Sequence, residues 1–200
     1  MKSLIFLFLA LTLTSFSKVH QLVAVNKSSK WVISENSSLV VNGSTNVNKF
    51  SCSIRQYPKT DTVLITDDQK SKVLLSGELN IDVKNFDCNN LIMTKQLRKT
   101  LKEDQFPTFQ IRFLSLKETS FLKQKKDIVK GLVEIEIAGV TKRFEISYQL
   151  SKDKNTMLFT GRQPINFSDF KLVPPRKMGK LIQAKDQLVV VFLLKMEAAS

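Results

Sequence analysis

DIVKGLVEIEIAGVTK, residues 127–142, decides the fold. Val129, Gly131, Val133, Ile135 and Ile137 fall on one parity, while Lys130, Glu134 and Glu136 fall on the other. A period of two over this length places the apolar side chains on one face of a β-strand. Gly139 punctuates the run as a turn, and residues 142–150 alternate again with Phe144, Ile146, Tyr148 and Leu150 on the buried face. Two long antiparallel strands with one dry face need a cover. A sheet closed on itself supplies one, and a closed barrel can hold an apolar ligand.

The same alternation recurs outward from this hairpin. Residues 38–44 and 48–54 read as strands with Leu39 and Val41, then Phe50, Cys52 and Ile54, facing in, and Asn42–Asn46 between them has turn chemistry. A weak strand is expected at 62–66. Residues 72–86 carry Val73, Leu75, Gly77, Leu79, Ile81 and Val83 on one parity, with Gly77 marking a bend or bulge. Residues 91–103 break the period, because Leu97 and Leu101 repeat at helical spacing. One short amphipathic helix plugging one end of a barrel fits that break. Residues 106–116 return to strand with Phe109, Ile111 and Phe113 on one face, and 156–161 form a short strand. Residues 162–185 hold Pro164, Pro174 and Pro175 without a clean period and read as an ordered loop over one mouth. Residues 188–196 are apolar on both parities, which predicts a terminal strand covered on both sides. The chain reads as one domain, residues 31–197, opened by Trp31 and preceded by a flexible segment over 18–30.

The first residues have the layout of a cleaved signal peptide over 1–17. Met1-Lys2 is positive, 4–13 is an apolar core too short to span a bilayer, and Ser15 and Ser17 suit a cut after Ser17. No cysteine follows that cut, which argues against a lipid anchor. The expectation is a periplasmic or secreted protein. Export favours a disulfide between the only two cysteines, Cys52 and Cys88, over two free thiols or a metal site. Closing that loop would stabilise the fold by roughly 3–4 kcal/mol.

With 31 Lys and Arg against 18 Asp and Glu, the net charge is +13. Clusters at 95–102, 123–130 and 176–180 lack interleaved aromatics and any nucleic-acid motif, so no nucleic-acid partner is expected. An anionic membrane surface remains a candidate partner. The single histidine, His20, lies just past the cut, which leaves no Ser-His-Asp, Cys-His or His-based metal set, and phosphate-loop and dinucleotide fingerprints are missing. Glu134 and Glu136 have outward parity and read as a solvated face. The Asn-x-Ser sequons at Asn26, Asn36, Asn42 and Asn166 read as chance in an Asn- and Ser-rich chain. The chain reads as neither an enzyme nor a cofactor or metal binder.

Five segments in order resemble the YceI-like family of exported bacterial proteins: 38–47 with Phe50, 106–113, Gly131-Leu132 with 138–142, Ser168-Asp169-Phe170 with Leu172, and 186–189. The likeness covers residues 31–197. It implies an all-β fold, an eight-stranded antiparallel lipocalin-like β-barrel with one short helix, exported to the periplasm and holding a polyisoprenoid or similar long amphiphile in its lumen. Many members carry an Arg-Asp pair just before the helix and an arginine before the Ser-Asp-Phe. This chain has Asn90-Leu91-Ile92-Met93 and Asn166-Phe167 there. The cysteine pair resembles that of a Bacteroidetes-type subset.

The expected lumen is lined by Phe109, Ile111, Phe113, Val133, Ile135, Ile137, Phe144, Ile146 and Tyr148. From the residues alone these could equally fill a solid core; the resemblance favours a ligand cavity. The resulting expectation is a non-catalytic carrier or buffer for an isoprenoid or other lipid. The alternative is a stress-response or interaction module whose basic clusters at 95–102 and 176–180 bind anionic membrane or a protein partner.

Overall fold

The computed structural model of the chain describes residues 28–67, 73–117, 126–177 and 181–199. The expected signal peptide over residues 1–17, and His20, lie outside them. The two strands that opened the sequence reading, β7 (Lys126–Ile137) and β8 (Val140–Asp153), pair in antiparallel register from Lys126↔Ser151 to Ile137↔Val140. Their two-residue turn is Ala138-Gly139, with φ of 51° and 75°. Positive φ at both central residues matches a tight hairpin whose twist follows the strands.

From this hairpin the sheet runs both ways around the barrel. On one side lie β6 (Thr108–Leu116), β5 (Val73–Asp82), β4 (Thr62–Asp67) and β1 (Ser28–Ile33). On the other lie β9 (Thr156–Asn166) and β12 (Gln187–Ala198). The last strand returns to the first through Trp31↔Ala198 to Ile33↔Met196, and these eight antiparallel strands close a barrel. The other half of the β12 edge carries β2 (Ser38–Ser44), with β3 (Lys49–Ile54) beyond it. The β5–β6 register shifts between Leu74 and Gly77, where the sequence places a bend. A Cβ on Gly77 would lie 2.7 Å from the Thr62 carbonyl oxygen, so only glycine lets the strands come so close. One helix, α1 (Leu91–Thr100), lies across one end, its start capped by the Asn90 side chain, which accepts from the Met93 N–H at 3.0 Å.

The ladder between β8 and β9 is incomplete. It runs from Asp153↔Thr156 to Tyr148↔Gly161 and stops, leaving residues 140–147 and 162–166 without pairing across the seam. A 3₁₀ turn, Phe167–Phe170, stands at the end of β9, with its Phe170 ring 6.2 Å from that of Phe144. The seam explains Pro164. A residue without an N–H is tolerated in a strand that has only one neighbour there, and Pro164 faces Val189 of β12 alone.

Four expectations change. Residues 162–185 are not one loop: 162–166 continue β9, the 3₁₀ turn follows, and β10 (Arg176–Lys177) pairs with β11 (Ile182–Gln183) in a small hairpin. Ser28–Lys30, expected in the flexible segment, are already strand, paired with Leu64–Thr66. The strand expected to run to Phe86 ends at Asp82 in a 3₁₀ turn over Val83–Asn85. The outward face of β12 is not covered; Val191 is 38% exposed and Val189 and Leu193 are half-buried.

The outer wall carries the charge. Arg112 lies 3.1 Å from both Glu78 and Glu134, and Arg143 lies 2.8 Å from Glu134. The Arg143 and Arg112 hydrogen bonds hold the Glu134 carboxyl below its ordinary range. Exposed pairs of this kind contribute little stability each, and they account for Glu134 as a solvated-face residue.

Candidate functional site

Inward residues of the strands enclose three apolar cavities stacked along the barrel. The middle one has about 90 Å³ of room for the centre of a water-sized atom. The one beneath α1 has about 70 Å³, and the far one about 10 Å³. One water needs roughly 10–15 Å³ on the same measure, so the middle and helix-side spaces are well beyond packing defects. The first two share Leu39, Ile111, Ile135, Ile165 and Val190 in their walls, and the middle and far ones share Phe113, Tyr148 and Leu194. The interior is therefore a row of adjoining apolar cavities. Among the described residues no charged side chain lines any of the three.

Seven of the nine expected lining residues are where the parity places them. Phe109, Ile111, Ile135 and Ile137 line the helix-side cavity, and Ile111, Phe113, Ile135, Ile146 and Tyr148 the middle one. Val133 and Phe144 do not line them. Val133 is almost fully buried among neighbours in the solid part of the core, and Phe144 turns to Phe170 at the seam. Other walls come from Leu39, Ile54, Leu79 and Ile81, on strands whose inward faces were legible but not assigned to the lumen, and from Val190 and Leu194 of the terminal strand, read as apolar on both parities. Tyr57, Gln163 and Ile165 come from segments read as loop.

The helix-side end is closed by specific ties. Leu97 and Leu101 of the α1 end roof the cavity together with Phe86, Phe167 and Phe170. The Arg98 guanidinium reaches back to donate to the carbonyls of Lys84 and Phe86, the latter at 3.0 Å. Cys52 of β3 is joined to Cys88 by a disulfide, and the Cys88 N–H donates to the Thr94 hydroxyl at 3.0 Å. The helix is thus moored to the barrel covalently through Cys88, three residues before its start, and by the Arg98 hydrogen bonds at its last turn. The positions where this chain departs from the family pattern serve as caps. Asn90 starts α1, and Asn166 starts the 3₁₀ turn in a reciprocal box with Asp169.

Polar groups in the channel wall are few. The Ser37 hydroxyl exchanges two hydrogen bonds with the Lys195 backbone, and the Tyr57 hydroxyl donates to Asp61. Tyr148 is 4% exposed, and burial drives its phenol far above the ordinary tyrosine value.

A closed antiparallel barrel with a dry, hollow interior and a helical plug defines a lipocalin-like class of protein. The YceI-like domain matches residues 31–194, and the chain belongs to that family. Among solved structures, BcnA of Burkholderia cenocepacia superposes with a TM-score of 0.61 at 16% identity, over 80% of this chain and 95% of that one. A polyisoprenoid binding domain from Saccharophagus degradans, implicated in plant cell wall breakdown, gives 0.60 at 10% identity, over 86% and 100%. At these identities the likeness is one of fold. No curated protein matches the chain.

Proposed function

We propose that this protein is an exported, non-catalytic carrier or buffer that holds a polyisoprenoid or similarly long lipid in the barrel. The observation that carries the reading is the pair of adjoining apolar cavities beneath α1, with no charged side chain among their described lining residues. A long hydrocarbon gains about 25 cal/mol for each Å² taken from water, and a charge-free wall imposes no desolvation cost against it. The polyisoprenoid binding named for the Saccharophagus domain, on the same fold, supports the ligand class. Export rests on the pattern of residues 1–17, and N-terminal sequencing of the mature protein should then begin at Lys18. The function is tested by native mass spectrometry and organic extraction of protein purified from its host. A co-purifying lipid is expected; ligand-free mass with an empty extract would sink the reading.

A second reading concerns the plugged end. Val47, Leu91, Ile92, Val173 and Leu181 are large exposed apolar side chains. Each either lines, or lies within two residues of one that lines, a groove bounded by Val47, Met93, Pro175 and Ile182. Lys95, Lys99, Lys171, Arg176 and Lys185 are exposed in the same segments. Apolar prongs among cations suit an anionic membrane, where the carrier would load and unload. Liposome sedimentation that falls with added salt and with Ile92→Ser is the expected result. Equal sedimentation with neutral vesicles would remove the electrostatic part.

A further inference from the structure

Tyr148 stands apart from the other polar groups in the channel wall. Its ring is held in one place: Phe159 and Phe192 meet it edge to face at 5.7 and 5.4 Å. Gly131, diagonally across the β7–β8 pair, leaves it room, since a Cβ there would lie 2.6 Å from Tyr148 Cε2. Yet no hydrogen bond reaches its hydroxyl, and burial alone accounts for its raised pKa. The residue is buried, but its hydroxyl is not among the fully enclosed unpartnered atoms, so it faces the open space of the cavity. Tyr148 pairs with Gly161 of β9, and Gln163 lies two residues further along the same inward face, in the wall of the same cavity. Gln163 is half-buried at the open seam, where its Nε2 donates to the exposed Pro164 carbonyl at 2.9 Å and its Oε1 has no partner among the described residues.

We propose that Tyr148 and Gln163 form an internal anchor for a single uncharged oxygen of the bound lipid, a hydroxyl or carbonyl. The Tyr148 hydroxyl donates to that oxygen, and a ligand hydroxyl in turn donates to Gln163 Oε1. This inference rests on the carrier reading and sharpens it. Among the described residues no charged side chain lines the wall, which disfavours a phosphate or carboxylate at this depth, because a buried ion without a partner is costly. Both residues line the middle cavity, and beyond Tyr148 the far cavity offers only about 10 Å³, so a long chain has room only on the α1 side. A lipid whose only oxygen is terminal therefore enters oxygen first, with its hydrocarbon running towards the helix.

The test uses delipidated mature protein incubated with an equimolar mixture of octadecan-1-ol and octadecane. After gel filtration, the retained lipids are extracted and quantified by gas chromatography. Wild type should enrich the alcohol about 3–10-fold over the alkane, the effect of one buried neutral hydrogen bond. Tyr148→Phe should retain both equally, while Gln163→Ala should keep part of the preference. The ligand-free Tyr148→Phe protein should melt no lower than wild type, since it loses a hydroxyl without a partner. Equal retention of both lipids by wild type, an unchanged preference in Tyr148→Phe, or a marked drop in its melting temperature would each overturn the anchor. Of these, the first two leave the carrier reading standing. Failure of wild type to retain either lipid sinks the carrier reading, and the anchor with it.

Discussion

At the end of the barrel away from α1, Ile33, Val63, Val73, Leu116, Val129 and Met157 are completely or almost completely buried in one core. Towards α1 the same inward parity gives Ile111, Ile137 and Val190, which are only partly buried and border open space. The alternation code is the same at both ends. What differs is what stands opposite: at the first end, side chains from facing walls meet, and at the second they fall short and a helix roofs the gap. One end supplies stability and the other supplies room.

The largest expected effect tests the solid end. Leu150→Ala, at 1% exposure, should cost about 3–5 kcal/mol in urea unfolding, because it adds a cavity to lost burial. Ile111→Ala in the channel wall should cost only about 1–2 kcal/mol, since the space beside it already exists. Equal costs would erase the contrast. Reducing the Cys52–Cys88 bridge comes next, at roughly 3–4 kcal/mol for a sequence separation of 36. The loss should concentrate at the roofed end, with amide exchange rising in α1 before it rises in β7. Mature protein alkylated under denaturing, non-reducing conditions should show no free thiol.

A smaller effect sharpens the hollow side. Ile135→Phe should change stability by less than about 1 kcal/mol while abolishing lipid retention, because the channel can accept the added volume; in a filled core the same change costs ~1–3 kcal/mol. A clear loss of stability in a variant that never held lipid would favour the filled core. The smallest effect is spectroscopic. The chain has two tyrosines, and both phenols are raised above the ordinary 10.0. Burial is the main cause at each, with the Asp61 hydrogen bond adding to it at Tyr57. The folded state then keeps protons that the unfolded chain releases, so this contribution is intact below pH 10.0 and is lost as pH rises above it. Tyrosinate absorbance should be missing from native protein at pH 10.0 and appear only together with unfolding; ordinary titration of either residue in folded protein would contradict it.

Much of the barrel was legible because a half-buried strand repeats every two residues, and that signal survives without context. The hairpin at 138–139, the bend at Gly77 and the lone helix all follow from local chemistry. Pro164 misled the reading, since a proline normally ends a strand unless one side of that strand is unpaired, and pairing is a tertiary fact. The seam also diverted Phe144: parity points it inward, but whether it meets the channel or Phe170 depends on where β8 and β9 part. Val133 was assigned to the channel because parity tells inside from outside and cannot tell a wall that is met from one that is not. Tyr57, Gln163 and Ile165 were missed because they lie in stretches without a readable period.

The seam bears on how the molecule can change shape. A barrel whose every strand has two neighbours must break a row of backbone hydrogen bonds to widen anywhere. Here the stretch between residues 140–147 and 162–166 has no such row to break, and among the described contacts it is spanned by the Phe144–Phe170 ring pair. Circumferential stiffness is therefore uneven. Motion that enlarges the bore should concentrate along one line parallel to the strands, from Tyr148 and Gly161 towards the Phe167–Phe170 turn, with the rest of the wall keeping its register.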